Sequence, residues 1–122
     1  MTASLKIFSY ARCSTCRKAL AWLNLQNIKY KLFDIIDSPP SKEMISDAIN
    51  QLGDRKYLFN TSGKIYRSIG ASAIKIMNDE NVVDLLNSEG GLIKRPFVMH
   101  PNGRFLIGFN QSIWEDFFLN QD

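Results

Sequence analysis

The sequence predicts a small α/β domain in which a mixed β-sheet is covered by helices. Three observations lead to this prediction. An apolar run near the N-terminus is followed by an amphipathic segment and a second extended run, the middle of the chain has helical periodicity, and the last third contains two extended runs around a turn. The 122 residues have the length of one ordinary domain. We therefore expect a single domain over residues 1–122, with a helical insertion at about residues 41–90.

The first third of the chain predicts a strand–helix–strand unit. Residues 5–10 have the composition of a short buried strand. Ser14 or Thr15 can cap a following helix, whose apolar face extends over about three turns and ends near Asn27. Residues 30–36 are rich in β-branched and aromatic side chains, and they follow closely. A parallel pair of strands joined by the helix is the expected closure.

The middle of the chain is predicted to be mainly helical. Ser41 can cap an amphipathic helix that Gly53 would end. Residues 57–70 break into a loop-type sequence that contains the run N-T-S-G. Residues 71–87 resume the helical pattern in one or two pieces. These segments make up the expected insertion.

The last third predicts a β-hairpin and a closing helix. Residues 96–99 and 104–109 are two extended runs, and Asn102 and Gly103 form the turn signal between them. The closing helix is indicated by apolar side chains at helical spacing, which are Ile113, Trp114, Phe117 and Phe118.

Composition narrows the class of protein. The chain is 45% hydrophobic and 22% charged, as in soluble globular proteins, and no stretch approaches the ~20 apolar residues of a membrane span. The N-terminus has no basic segment followed by a long apolar one, so we expect a cytoplasmic protein. The net charge of +3 is mild and its cations are scattered. We expect no direct contact with DNA and none with a membrane.

The two cysteines are the main chemical signal. Cys13 and Cys16 stand as C-S-T-C between the first strand and the first helix. A thiol at a helix N-terminus faces unpaired backbone N–H groups and the positive end of the helix dipole, which favour the thiolate. Arg12, Arg17 and Lys18 add positive charge nearby. Cys13 is therefore predicted to be a reactive thiolate.

Three interpretations of the pair remain open. The cysteines could be small buried apolar residues. They could belong to a metal site, although zinc takes four ligands and the other candidate of the usual type is His100, so we expect no metal. The interpretation that we favour is a redox pair, which in a reducing cytosol is more common than a structural disulfide. Cys13 would then attack, and Cys16, one helical turn further on, would be the shielded resolving thiol.

The order of elements, with C-x-x-C at the first strand–helix junction, resembles the thioredoxin fold. Three stretches in this order are also similar to the arsenate reductase (ArsC) superfamily, and in particular to its Spx/MgsR branch. They are CSTCRKA at residues 13–19, LFNTSGKIYR at residues 58–67 and LIKRPF at residues 92–97. The resemblance covers nearly the whole chain, and it implies a thioredoxin-like three-layer fold.

This resemblance assigns roles to particular residues. It implies that Cys13 is the nucleophile, that Arg95 binds an oxyanion beside it and that Pro96 is the cis-proline of thioredoxin-type sites. Arg67 would be a further basic residue that faces the site. We expect Arg67, Arg12 and Pro96 to contribute to the binding of substrate or anion.

The chain departs from the arsenate-reducing members at two positions. Those members have a further arginine in the strand after the hairpin turn, and the aligned position here falls at about Gly108. They also generally have serine where Cys16 stands. Two cysteines are the pattern of the Spx branch, so the resemblance does not favour efficient arsenate reduction.

Two functions follow as expectations. The first is a thiol-dependent reductase with no bound cofactor, which takes electrons from glutathione with glutaredoxin, or from thioredoxin, and acts on an oxidised substrate that can include a small oxyanion. The alternative is an Spx-like redox-sensing transcription regulator that binds RNA polymerase. A third interpretation is a domain that keeps the fold with a vestigial cysteine pair.

Overall fold

The computed structural model describes residues 4–120, which contain a four-stranded mixed sheet. The strand order is β2-β1-β3-β4; β1 pairs parallel with β2 and antiparallel with β3, and β3 pairs antiparallel with β4. The strands are β1 (Leu5–Ser9), β2 (Tyr30–Asp34), β3 (Phe97–Met99) and β4 (Phe105–Ile107). The predicted strand–helix–strand unit and the C-terminal hairpin are thereby confirmed.

Helices occupy the rest of the fold, and four of them lie between β2 and β3. The α-helices of residues 4–120 are α1 (Ser14–Leu25), α2 (Lys42–Leu52), α3 (Lys64–Ile69), α4 (Ala71–Lys75), α5 (Asp79–Ser88) and α6 (Gln111–Leu119). Short 3₁₀ turns span Arg55–Leu58 and Gly90–Leu92.

The sheet separates two apolar clusters, which gives the fold three layers. Side chains alternate between the faces of a strand, so Ile7 of β1 and Val98 of β3 face one side while Phe8 and Phe97 face the other. The first side is covered by α1 and α6, chiefly through their buried tryptophans, Trp22 and Trp114. The second side is covered by the helices between β2 and β3. This is the predicted α/β fold of thioredoxin type.

Strand register explains why two distant parts of the sequence meet. In the antiparallel pair of β1 and β3, Phe8 lies opposite Phe97. The carboxyl end of β1 therefore lies beside the amino end of β3. Residues that follow Ser9, including the cysteine loop, are brought next to residues that precede Phe97.

Two predicted helix ends are confirmed in the middle of the chain. The Ser41 hydroxyl accepts a hydrogen bond from the backbone N–H of Met44 at 3.1 Å, which is a helix N-cap. Gly53 follows α2 with φ of +83°, a left-handed conformation that glycine adopts without steric cost. The segment predicted at residues 71–87 forms two helices, α4 and α5, and the Asn78 side chain caps the second.

Other boundaries differ from the prediction. Residues 57–70 were predicted to be a loop, but they contain α3 and the end of a 3₁₀ turn. The second strand ends at Asp34 and not at Ile36. The reason is that the Asp34 carboxylate accepts hydrogen bonds from the backbone N–H groups of Ile36 and Asp37, at 2.8 and 3.1 Å, which turns the chain out of the sheet.

None of the helices within residues 4–120 combines the length and the apolar character that crossing a bilayer requires.

Candidate functional site

Cys13 is itself the cap of α1, so the prediction of Ser14 or Thr15 as the cap was wrong. Its backbone is extended, with φ of −92° and ψ of 113°. Its sulfur accepts a hydrogen bond from the backbone N–H of Cys16 at 3.2 Å. The sulfur is half-buried and lies where the unpaired N–H groups of the first turn converge.

Cys16 lies one turn further along α1 and is buried, with 1% of its surface exposed. Burial is the largest effect on its thiol, and a hydrogen bond with Cys13 and the Cys13 charge act in the same direction. Together they raise the pKa of Cys16 to about 12, against an ordinary value of 9.0, although the Tyr10 backbone and the Arg95 charge oppose the shift. Cys16 is thus a shielded, protonated thiol at neutral pH.

The pKa of Cys13 shifts the other way. Partial burial is the largest single effect and raises it, whereas hydrogen bonds from the thiol and backbone N–H of Cys16 lower it. The Arg95 guanidinium adds a hydrogen bond and its positive charge, and the net result is a pKa below the ordinary thiol value. The cysteine pair therefore holds one thiol that is ready to ionise and one that is not.

The basic residues beside the cysteines in sequence act less directly than predicted. The interactions that lower the pKa of Cys13 come from Cys16 and Arg95. Arg17 donates a hydrogen bond to the Ala11 carbonyl at 2.8 Å, and Arg12 is exposed at the rim of the site. The cation that stabilises the Cys13 thiolate is therefore Arg95, which is distant in sequence.

Arg95 is held in place from two directions. Its guanidinium carbon lies 5.2 Å from the centre of the Tyr10 ring, a cation–π contact. Its Nη1 donates to the Gly91 carbonyl at 3.4 Å. The next peptide bond, between Arg95 and Pro96, is cis, which is the geometry that the sequence resemblance implies for Pro96.

A cleft of about 840 Å³ opens beside the Cys13 sulfur. Its polar and basic lining residues are Arg12, Cys13, Ser14, Thr15, Asn60, Ser62, Gly63, Lys94 and Arg95. The remaining lining residues are largely apolar, and they are Leu106, Ile107, Gly108, Phe109, Asn110, Ile113 and Trp114. No Asp or Glu of residues 4–120 lines this cleft. Such a site accommodates an anion with an apolar portion beside a nucleophilic sulfur.

The structure brings together most, but not all, of the predicted site residues. Cys13, Arg12 and Arg95 line the cleft, and Cys16 lies beneath Cys13. Arg67 lies in α3, is exposed and is not among the residues that line the cleft.

Three further polar residues of the cleft are Asn60 and Ser62, in a loop that the sequence offered as a possible anion-binding turn, and Lys94. Asn60 donates to the Gly91 carbonyl at 3.4 Å and accepts from the Ser62 hydroxyl at 3.1 Å. Asn60 and Ser62 both belong to the run N-T-S-G, which indicated a loop in the sequence. Lys94 was not expected in the cleft. Neighbouring side chains of an extended chain point to opposite sides, and the next residue, Arg95, was the one assigned to the site.

Metal-ligating side chains do not cluster at this site. Within residues 4–120 there is no group of three or more His, Cys, Asp or Glu residues that could hold a metal ion. His100 packs against the rings of Phe117 and Phe118, with centroid distances of 5.3 and 6.0 Å.

A thioredoxin-like sheet with a C-x-x-C pair at the N-terminus of α1 defines the general class of this protein. Comparison with known proteins narrows it: the chain belongs to the ArsC family, whose sequence model matches residues 8–117. Among curated relatives, YusI of Bacillus subtilis, an uncharacterized protein, is 35% identical over 115 residues, which are 93% of this chain and 97% of that protein. The global transcriptional regulator Spx of Streptococcus mutans is 26% identical over 107 residues, 87% of this chain and 77% of the regulator.

Solved structures give the same result. A protein of Streptococcus mutans UA159, described as a possible arsenate reductase, superposes with a TM-score of 0.87 at 33% identity, covering 95% of this chain and 99% of the other. An ArsC-family-related protein of Bacteroides fragilis gives a TM-score of 0.85 at 35% identity, covering 95% and 98%. The family and the fold are therefore established.

Proposed function

We propose that this protein is a cytoplasmic thiol–disulfide redox protein in which Cys13 is the nucleophile and Cys16 the resolving thiol. The observation that carries the proposal is the division between the two sulfurs. Cys13 caps α1 at the edge of an open cleft with a lowered pKa, while Cys16 is buried beneath it with a raised one. Only a thiolate attacks a disulfide efficiently, so the two sulfurs are suited to successive steps.

The chemistry proceeds in two exchanges. The Cys13 thiolate attacks one sulfur of a substrate disulfide, forms a mixed disulfide and expels the other half of the substrate as a thiolate. Cys16 then attacks the Cys13 sulfur, its proton passes to the departing group, and the second half leaves as a thiol. The substrate gains two electrons and the protein becomes a Cys13–Cys16 disulfide.

Arg95 acts electrostatically in this scheme. It lies beside the Cys13 sulfur and its orientation is fixed by Tyr10 and Gly91, so its charge needs no rearrangement to favour the thiolate. Reduction of the protein disulfide by glutathione with glutaredoxin, or by thioredoxin, closes the cycle. No bound cofactor is required for either exchange.

Trapping the intermediate tests the proposal. The wild-type protein and the variants Cys13→Ser and Cys16→Ser are mixed with a small disulfide, and the masses of the products are measured. We expect an internal disulfide in the wild type, a stable mixed disulfide on Cys13 in Cys16→Ser, and no adduct in Cys13→Ser. An adduct that forms on Cys16 in Cys13→Ser as fast as on Cys13 would overturn the assignment of roles.

Arsenate is a less suitable substrate for this cleft than a disulfide. The resemblance aligns a further arginine of arsenate reductases near Gly108, which has no side chain that could bind the anion. Arg67 does not line the cleft. In a coupled assay with arsenate, glutathione and glutaredoxin, we expect NADPH consumption at the background rate.

The second candidate function is regulatory. Relatives named global transcriptional regulator Spx share 25–26% identity with most of this chain, and RNA polymerase is the partner that this likeness suggests. Oxidation of the cysteine pair would then alter a docking surface instead of completing a turnover. Retention of purified RNA polymerase on immobilised protein, compared between its reduced and oxidised forms, tests this candidate.

A further inference from the structure

Lys94 places a second positive charge in the cleft, separate from Arg95. It is exposed and lines the same cavity as the Cys13 sulfur. The carboxylates found in ion pairs within residues 4–120 are those of Asp84 and Asp79, which pair with Lys42 and Arg55 and not with Lys94. In the part of the chain that the structure describes, no carboxylate forms an ion pair with Lys94.

Gly108 makes room for this lysine. A Cβ atom at Gly108 would lie 3.0 Å from Lys94 Cε and 3.6 Å from Nζ, so the lysine side chain crosses the space that any side chain would need. Gly108 also has φ of +79°, a left-handed conformation that disfavours other residues. Its N–H donates to the Pro96 carbonyl at 2.9 Å, and its carbonyl accepts from Trp114 Nε1 at 3.2 Å. The glycine is thus fixed between two elements, and Lys94 lies across it.

The cleft also has an apolar surface. It is formed in part by Leu106, Ile107, Phe109 and Ile113, the last with 58% of its surface exposed. A cleft of about 840 Å³ has the size of a small-molecule site and is far larger than one tetrahedral oxyanion needs. Basic and apolar groups within one cleft suit a ligand that contains both carboxylates and methylene groups.

We infer that the substrate is the disulfide of a low-molecular-weight carboxylated thiol, and that Lys94 binds its carboxylate while Arg95 assists Cys13. This inference rests on the proposed function. The bonds that form and break are those of the two exchanges described above; Lys94 takes no part in them and acts by binding the anion. Electrons return to the cysteine pair from an external thiol reductant.

A set of three disulfides that differ in charge provides the test. They are 3,3′-dithiodipropionate, a dianion; 2-hydroxyethyl disulfide, which is neutral; and cystamine, a dication. The second-order rate constant of Cys13 oxidation is measured for each by acid quench and mass analysis. Each rate constant is divided by the rate constant with which the same disulfide oxidises a simple thiol such as mercaptoethanol. This ratio removes the differences in intrinsic reactivity among the three disulfides.

We expect the wild type to prefer the dianion over the neutral disulfide. Lys94→Gln should reduce that preference, measured as the ratio of the rate constant for the dianion to that for the neutral disulfide, by up to roughly fivefold, the upper end of what one exposed ion pair contributes. Lys94→Glu should reduce it further and favour the dication. Lys18→Gln is the matched control, because Lys18 is an exposed residue of α1 near Cys13 that does not line the cleft.

The outcomes separate this inference from the proposed function. If the wild type reacts with all three disulfides without preference, or if Lys94→Gln retains the preference, the role of Lys94 is wrong while the redox function stands. If Lys18→Gln lowers the preference as much as Lys94→Gln, general surface charge and not a binding site explains it. If none of the three disulfides oxidises Cys13, the proposed function itself fails.

Discussion

Tyr10 connects the two cysteines with the arginine that assists them. Its ring lies under the Arg95 guanidinium, its carbonyl accepts the Cys13 N–H at 3.0 Å, and its backbone interacts with the Cys16 thiol. The Tyr10 ring acts on the Cys13 sulfur through Arg95, so Tyr10 is a positioning residue. Its contribution is to hold a positive charge at a fixed place beside the Cys13 sulfur.

Replacement of Tyr10 tests this positioning role. Tyr10→Ala should raise the pKa of Cys13, because Arg95 loses the ring that orients it, whereas Tyr10→Phe should retain the low value since the ring remains. Arg95→Ala gives the upper limit of the shift. The pH dependence of Cys13 alkylation by iodoacetamide in a Cys16→Ser background measures it. A Tyr10→Ala profile that overlays that of Tyr10→Phe would show that the ring does not position the guanidinium.

Cys16 makes the free energy of unfolding depend on pH in the alkaline range. Its folded-state pKa is about 12 against an ordinary value of 9.0, so its contribution to stability is complete below pH 9 and is lost as the pH rises toward 12. Above pH 9 Cys13 does not offset this loss, because the contribution of its lowered pKa is complete there. We expect the urea midpoint of the wild type to fall more steeply between pH 8 and pH 11 than that of Cys16→Ala. Parallel curves would contradict the assignment of a raised pKa to Cys16.

At the scale of elements, the sequence predicts those parts of the fold that have strong local signals. The ends of α2 follow from Ser41 and Gly53, and the hairpin follows from its Asn-Gly turn. The short helix α3 was missed because it has six residues, none of them buried, and therefore lacks an apolar periodicity. The cap of α1 was assigned to Ser14 or Thr15 because hydroxyls are the usual caps, whereas a cysteine sulfur fills that position.

The 3₁₀ turn at Gly90–Leu92 brings the Arg95 segment against the end of β2. A Cβ atom at Gly90 would collide with the Ile35 carbonyl oxygen, whereas one at Gly91 would meet the flexible ends of Ile65 and Ile36 at 3.3 and 3.4 Å. The two adjacent glycines therefore have different constraints, one from rigid backbone and one from mobile side chains.

This difference predicts unequal effects of the same substitution. Gly90→Ala should lower the free energy of unfolding by about 3 kcal/mol, because backbone atoms must move apart, whereas Gly91→Ala should cost less than about 1 kcal/mol. Urea denaturation followed by circular dichroism measures both. Equal losses in the two variants would show that the approach to Ile35 does not constrain this turn.

At the scale of the whole molecule, four separate segments form the site. They are the cysteine loop, the Asn60 loop, the segment before β3 and the segment from β4 into α6. The sequence predicted the first from its motif, and the resemblance supplied Arg95. The remaining lining of the cleft was not predicted, because it depends on the pairing of β1 with β3 and on how α6 packs. Lys94 is one of the lining residues that were not predicted.

The oxidation state should change stability in a pH-dependent way. The Cys13 thiolate favours the folded reduced protein, and that contribution is full above its ordinary pKa and is lost as the pH falls through the lowered one. The oxidised protein has no thiolate. We expect the difference in free energy of unfolding, reduced minus oxidised, to increase from pH 5 to pH 8 in denaturant titrations. A difference that is constant over this interval would show that the Cys13 thiolate does not stabilise the folded reduced protein.

Trp114 gives the cleft an intrinsic optical reporter. Its indole N–H bonds to Gly108, its ring borders the cavity, and the ring of Trp22 lies 6.0 Å away. A ligand that enters the cavity would lie beside a fluorophore that is otherwise 1% exposed. We therefore expect the emission spectrum of the unlabelled protein to change with occupancy, so that a titration needs no dye, tag or coupled enzyme.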